Sequence, residues 1–133
     1  MIKIFISHRH DYSHDYFYLK QKLEEWGFEV DDRSWHVHRL RGRRLPDDEI
    51  TALLREAIES CDVFIVVARP ASGYSDWCKW EAQVADAARK PILGYSPKYM
   101  WKFPAYVYEL SHYKGTFTYM NRLETLLAEL GLM

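Results

Sequence analysis

Val63-Phe64-Ile65-Val66-Val67-Ala68 is an unbroken apolar run, and after the turn residues Pro70, Ser72 and Gly73 it leads into Tyr74-Ser75-Asp76-Trp77-Cys78-Lys79-Trp80-Glu81-Ala82. The run is too short to span a membrane and is rich in β-branched residues, so it reads as a strand buried on both faces. The stretch after Gly73 reads as a helix: Ser75 can cap it, and Asp76 suits the positive end of the helix dipole. At about 100° per residue, Trp77, Val84, Ala85 and Ala88 share an apolar stripe, with Lys79, Gln83 and Asp86 opposite. Glu81 falls in the middle of that stripe, four residues after Trp77. A carboxylate there must be paired, desolvated or needed, because burying an isolated charge is costly. The bland alternative is that Glu81 pairs with a buried Arg or caps nearby backbone. Its place at the carboxyl end of a central strand, where open α/β sheets bind ligands, favours a functional role.

Working outward, Ile2-Lys3-Ile4-Phe5-Ile6 is a first strand that ends in the polar cluster Ser7-His8-Arg9-His10-Asp11. A helix comes next, with Ser13 as cap, Tyr16, Leu19, Leu23 and Trp26 on one face, and Gly27 as its stop. Phe28-Glu29-Val30 alternates as a second strand before Asp31-Asp32-Arg33. Ser34 to Leu45 is a polar loop with two histidines and four arginines. Asp47 opens a helix whose core face is Ile50, Leu53, Leu54, Ala57, Ile58 and Cys61. Pro91-Ile92-Leu93-Gly94-Tyr95 is a fourth strand. A fifth lies either in Ala105 to Leu110 or in His112 to Phe117, and a closing helix presents Leu123, Leu126, Leu127 and Leu130, ended by Gly131.

Alternating strands and helices imply a parallel sheet with helices on both faces. Right-handed crossovers favour strand order 2-1-3-4-5, a flavodoxin-like three-layer α/β fold of about five strands built as one domain over residues 1–133. That order puts the first and third strands side by side. The crevice then opens between Ser7 to Asp11 and Arg69 to Glu81.

Composition narrows the function classes. The chain has 133 residues, a formal charge of −1 and 16% aromatic residues. A near-neutral chain is not an electrostatic nucleic-acid binder, and no apolar stretch is long enough for a bilayer span. With no signal peptide ahead of the first strand, the expected location is the cytoplasm. Cys61 and Cys78 fit neither a disulfide framework nor a metal ribbon and read as buried small hydrophobes. No glycine-rich phosphate loop follows the first strand, and no Gly-x-Ser-x-Gly elbow occurs. His8-x-His10 and His36-x-His38 could each present two imidazoles, but six histidines in 133 residues need no metal to explain them, so no metal and no bound cofactor are expected. The basic run Arg39 to Arg44 reads as a solvated loop or, folded over the crevice, as a pyrophosphate clamp. The aromatics between Tyr95 and Tyr119 read as core and edge cover, or as a stacking or self-association surface.

Taken together these boxes resemble a TIR domain. Ile4 to Asp11 resembles the family's first box, Gly27 to Val30 with Asp32 its second strand, and Cys61 to Val67 its third. Tyr74 to Glu81 contains the Ser-x-Trp-Cys-x-x-Glu pattern of enzymatic members. The loop before Pro46 is longer and richer in arginine than is usual, and no Phe-Trp third box is found. The resemblance implies that Glu81 is the catalytic residue of NAD cleavage. It implies that Ser7, His8, Arg9, Asp11, Asp32, Arg43 and Trp77 surround the substrate, with the loop from Asp32 to Leu45 gating the site. NAD is then substrate rather than cofactor, and the products are ADP-ribose or a cyclic ADP-ribose-type signal. Self-association through TIR–TIR contacts and an effector that senses the product are the implied partners. Stand-alone bacterial TIR-like proteins of antiphage defence, including those of Thoeris systems, are similar in size. Desolvation beside Trp77 should raise the pKa of Glu81, and Arg9 should oppose the rise. Two rival readings stay open: a non-enzymatic TIR-like interaction module, and a nucleoside deoxyribosyltransferase-like enzyme. A response-regulator receiver is disfavoured, because Arg69 stands where a phosphoacceptor Asp should follow the third strand.

Overall fold

Five short runs of alternating or continuous apolar residues pair in parallel into a single sheet in order β2-β1-β3-β4-β5. The coordinates are a computed structural model that describes residues 1–8, 13–33, 47–67, 76–97, 105–110 and 115–133. The elements are β1 (Lys3–Ser7), α1 (Ser13–Glu25), β2 (Glu29–Asp31), α2 (Asp47–Ser60), β3 (Val63–Val67), α3 (Asp76–Ala87), β4 (Ile92–Tyr95), α4 (Ala105–Leu110), β5 (Thr116–Phe117) and α5 (Met120–Glu129). The expected flavodoxin-like order is therefore the observed one. β1 and β3 are neighbours, with Phe5 beside Phe64 and Ser7 beside Val66.

Because successive strand side chains point to opposite faces, the sheet separates two cores. Ile4, Ile6, Val63, Ile65, Val67 and Leu93 pack with Tyr16, Leu19 and Leu23 of α1 and with Leu123, Leu126 and Leu127 of α5. On the other face Phe5, Phe64, Val66 and Ile92 meet Ile50, Leu54 and Ile58 of α2, Cys78, Ala82 and Ala85 of α3, and Tyr106 and Val107 of α4. All five residues of β3 are buried, as an unbroken apolar run at the centre of a covered sheet requires. Phe5 and Phe64 stack across the second face, with ring centroids 5.6 Å apart. Leu53 departs from expectation: it is 38% exposed, one position off the buried stripe set by Ile50, Leu54, Ala57 and Ile58.

Helix ends follow local chemistry. Gly27 takes φ 91°, Phe28 N–H donates to Leu23 O and Gly27 N–H to Glu24 O. This is the double bond of a left-handed helix stop. Gly131 closes α5 in the same way at φ 78°. After α3 the same pattern falls on a side-chain-bearing residue, Arg89 at φ 60°, with Lys90 N–H donating to Ala85 O and Arg89 N–H to Asp86 O.

The two places offered for a fifth strand resolve differently. Ala105–Leu110 is a helix, and the strand is the two residues Thr116–Phe117. Tyr106, Val107 and Tyr108 favour strands by residue type, but Tyr106 and Val107 are both buried beside α3 and β4. Tertiary packing overrides propensity there.

Candidate functional site

Ser7 is the last residue of β1, and alternation turns its side chain to the face covered by α3. Glu81 is the sixth residue of α3 and lies on the stripe that packs against the sheet. The two meet: Ser7 Oγ–H donates to Glu81 Oε1 at 2.9 Å, and both residues are fully buried. Seventy-four residues separate them in the chain, and the adjacency of β1 and β3 brings them together. A carboxyl group in such a place is desolvated and held in one orientation, which no ordinary surface glutamate is.

Around this pair, Trp77 stands one turn back along α3, half-buried against the same core. Its ring meets Trp80 edge to face at 5.7 Å, and the Arg55 guanidinium of α2 lies over Trp80 at 5.5 Å. Tyr106 of α4 belongs to the core cluster that holds Cys78 and Ala82. Burial pushes its hydroxyl well above the usual phenol range, and the Cys78 sulfur and Glu81 carboxylate raise it further. The Tyr106 oxygen is buried and has no hydrogen-bond partner among the described residues. The sequence offers no sign of it, because a six-residue helix is too short to display a period. Burial also pushes the Cys61 thiol up to about 12, and both cysteines are free and buried.

His8, next after Ser7, turns to the opposite face. It is fully buried, its ring stacks on Tyr16 of α1 at 4.4 Å, and its Nδ1 lies 3.4 Å from Ile6 O. Ser7 and His8 are thus neighbours in sequence that serve different sides of the sheet. Asp32 is exposed in the turn after β2. The acidic residue buried there is Asp31, whose carboxylate accepts from Arg33 Nε at 3.0 Å and from Arg33 Nη2 at 2.6 Å. Arg33 Nη2 also donates to Ser60 Oγ at 3.2 Å, which ties the end of β2 to the end of α2. Burial pushes the Asp31 carboxyl up, but the side-chain and backbone bonds from Arg33 outweigh it and hold the group below its ordinary range. Arg9, Asp11 and Arg43 lie outside the described residues, as do His10, His36 and His38. Of the crevice expected between Ser7 to Asp11 and Arg69 to Glu81, residues 9–11 and 69–75 also lie outside them. Among the described residues no group of three or more His, Cys, Asp or Glu side chains could hold a metal ion. None of their helices is long and apolar enough to cross a membrane.

A groove of about 490 Å³ opens on the α1 and α5 side, lined by residues that include His14, Asp15, Tyr18, Tyr95 and Tyr119. Neither Ser7 nor Glu81 lines it.

The TIR domain family model matches residues 4–97, more than two thirds of the chain. The chain belongs to the TIR domain family. No curated protein sequence matches this TIR domain. Among solved structures, it is similar to the CMP N-glycosidase BcmB of Clostridium botulinum, with a TM-score of 0.60, 21% identity and coverage of 95% of this chain and 98% of that one. It is also similar to the 2-deoxyribosyltransferase of the psychrotolerant bacterium Bacillus psychrosaccharolyticus, at TM-score 0.71 and 18% identity, over 92% and 90% of the two chains. The TIR domains of the activated Roq1 resistosome match at TM-score 0.51 and 18% identity, covering 98% of this chain and 74% of that one. At such identities the likeness is one of fold.

Proposed function

We propose that this TIR domain cleaves the N-glycosidic bond between ribose C1′ and the nicotinamide nitrogen of NAD, with Glu81 as the catalytic carboxylate. The observation that carries the reading is the buried Ser7–Glu81 pair at the carboxyl end of adjacent central strands. Nicotinamide leaves a cationic pyridinium with the bonding electron pair and departs neutral, so acid catalysis is not the main need. The need is to stabilise the oxocarbenium-like ribose left behind. A carboxylate fixed in a water-poor setting does this electrostatically, and the Ser7 hydroxyl keeps it in place without reorganisation. Water then adds its oxygen to C1′ and releases a proton, giving ADP-ribose; attack by the adenine instead gives a cyclic product. The substrate shell proposed around Glu81 comprises Ser7, Arg9, Asp11, Asp32, Arg43 and Trp77; His8, expected among them, instead packs on Tyr16 across the sheet. Assembly through TIR–TIR contacts, a cytoplasmic setting, and a bacterial defence role in which an effector senses the product complete the proposal.

A second reading is favoured by the fold shared with a CMP N-glycosidase and a deoxyribosyltransferase over more than nine tenths of this chain. It keeps the same bond type and the same carboxylate and exchanges NAD for a nucleotide or nucleoside. One assay separates the two: incubate the chain with NAD, CMP or deoxynucleosides and follow the released base by chromatography and mass. Nicotinamide release that falls by about a hundredfold or more in Glu81→Gln is the expected result, in line with loss of a preorganised electrostatic group. Equal rates in parent and variant would remove Glu81 from the mechanism, and base release from CMP alone would transfer the site to the second reading.

A further inference from the structure

We infer that the Tyr106 hydroxyl is a hydrogen-bond donor to the leaving base, bonding the carbonyl oxygen of that base as it departs from the ribose above Glu81. The inference rests on the proposed glycosidic cleavage and adds a substrate-touching residue to it from a segment that the TIR family model does not reach. Tyr106 is 6% exposed, and its oxygen is buried without a hydrogen-bond partner among the described residues. Buried hydroxyls are almost always bonded, so an orphan calls for a specific cause. A phenol in an apolar setting stays protonated at neutral pH, which leaves an O–H donor that needs an acceptor.

Position supplies the rest. α4 packs on α3 and on β4, and Tyr106 shares its cluster with Cys78 and Ala82, which bracket Glu81 on α3. The phenol also feels the charge of the Glu81 carboxylate. Elsewhere in α4, Val107 is apolar and Glu109 faces out, so neither offers a donor on this side. The chemistry that fits a neutral O–H donor is a neutral oxygen acceptor on the aglycone. Nicotinamide offers its carboxamide oxygen and a pyrimidine offers its ring carbonyl. In both, a hydrogen bond to that oxygen draws electron density from the ring as the glycosidic electrons arrive, so it favours departure.

The test uses Tyr106→Phe, which removes one oxygen and leaves the ring packing intact. Thermal unfolding of the unliganded chain is the first readout. Removal of an unsatisfied hydroxyl should leave Tm unchanged or raise it, and a fall of several degrees would show a structural bond and overturn the assignment. The second readout is calorimetric binding in the unreactive Glu81→Gln background, with NAD, with CMP, and with an NAD analogue whose carboxamide is replaced by hydrogen. Tyr106→Phe should weaken whichever natural ligand binds by about five- to tenfold, the worth of one neutral hydrogen bond, and should not change binding of the analogue. Equal affinities, or an equal loss with the analogue, would overturn the role, as would failure of the chain to bind either NAD or CMP. Binding and turnover of CMP without NAD would refute the NAD reading while still testing Tyr106 through the pyrimidine carbonyl.

Discussion

Replacing Ser7 with alanine isolates the bond on which the site is built. The hydroxyl donates at 2.9 Å to a carboxyl group that is itself fully buried, so its loss leaves that group short of a donor with no solvent to replace it. Hydrogen bonds to charged groups contribute about 1.5–3 kcal/mol, and we take about 2 kcal/mol for this one. Unfolding entropy of about 2.1 cal/mol/K per residue gives about 280 cal/mol/K for this chain, so Ser7→Ala should lower Tm by about 7 °C. Calorimetry or circular dichroism reads this directly. Glu81→Gln is the informative partner, because the amide still offers Ser7 an oxygen while the buried charge is gone, and its Tm should fall less than that of Ser7→Ala. In the Glu81→Gln background, Ser7→Ala should cost less than in the parent, with a coupling of about 1 kcal/mol. An unchanged Tm for Ser7→Ala, or strictly additive losses, would refute the buried pair.

Three further outcomes rest on the described geometry. Arg89→Gly should stabilise the chain by about 0.5–1 kcal/mol, since a left-handed stop strains any residue with a Cβ; a loss of stability in urea unfolding would contradict the φ of 60°. Asp31 is held below its ordinary range in the fold, so its contribution is present above the unfolded value of about 4 and is lost as pH falls through the lower folded value. Urea midpoints measured at pH 6 and at pH 3 should therefore differ less in Asp31→Asn than in the parent, and an identical acid loss would discount the Arg33 clasp. Finally, neither cysteine should react with a thiol reagent in the native chain, while both should react in denaturant, because both are buried and Cys61 titrates only near 12. Prompt native labelling would contradict that burial.

Much of this arrangement is legible in the residues themselves. The unbroken β3 run and the strand–helix alternation dictate a covered parallel sheet, and crossover handedness leaves little freedom in strand order. The position of Glu81 on an apolar helical stripe likewise announces its burial. The chain after Tyr95 resists such reading for a physical reason: α4 has six residues and β5 has two, shorter than the window in which either period emerges. Tyr106 stays hidden for that reason, since its meaning lies in what α4 packs against. Asp31 is obscured by the turn-like Asp31-Asp32-Arg33 triplet; only the extension of β2 through Asp31 turns one acid inward and leaves the next outside.

The sheet's outermost members are three and two residues long. A border that short presents few unpaired amides and carbonyls, so one copy has little purchase for continuing another copy's ladder. Should these domains stack into a filament or ring, its seams would run between helical flanks and connecting turns, and polymer growth would leave the hydrogen-bonded ribbon of each subunit closed upon itself.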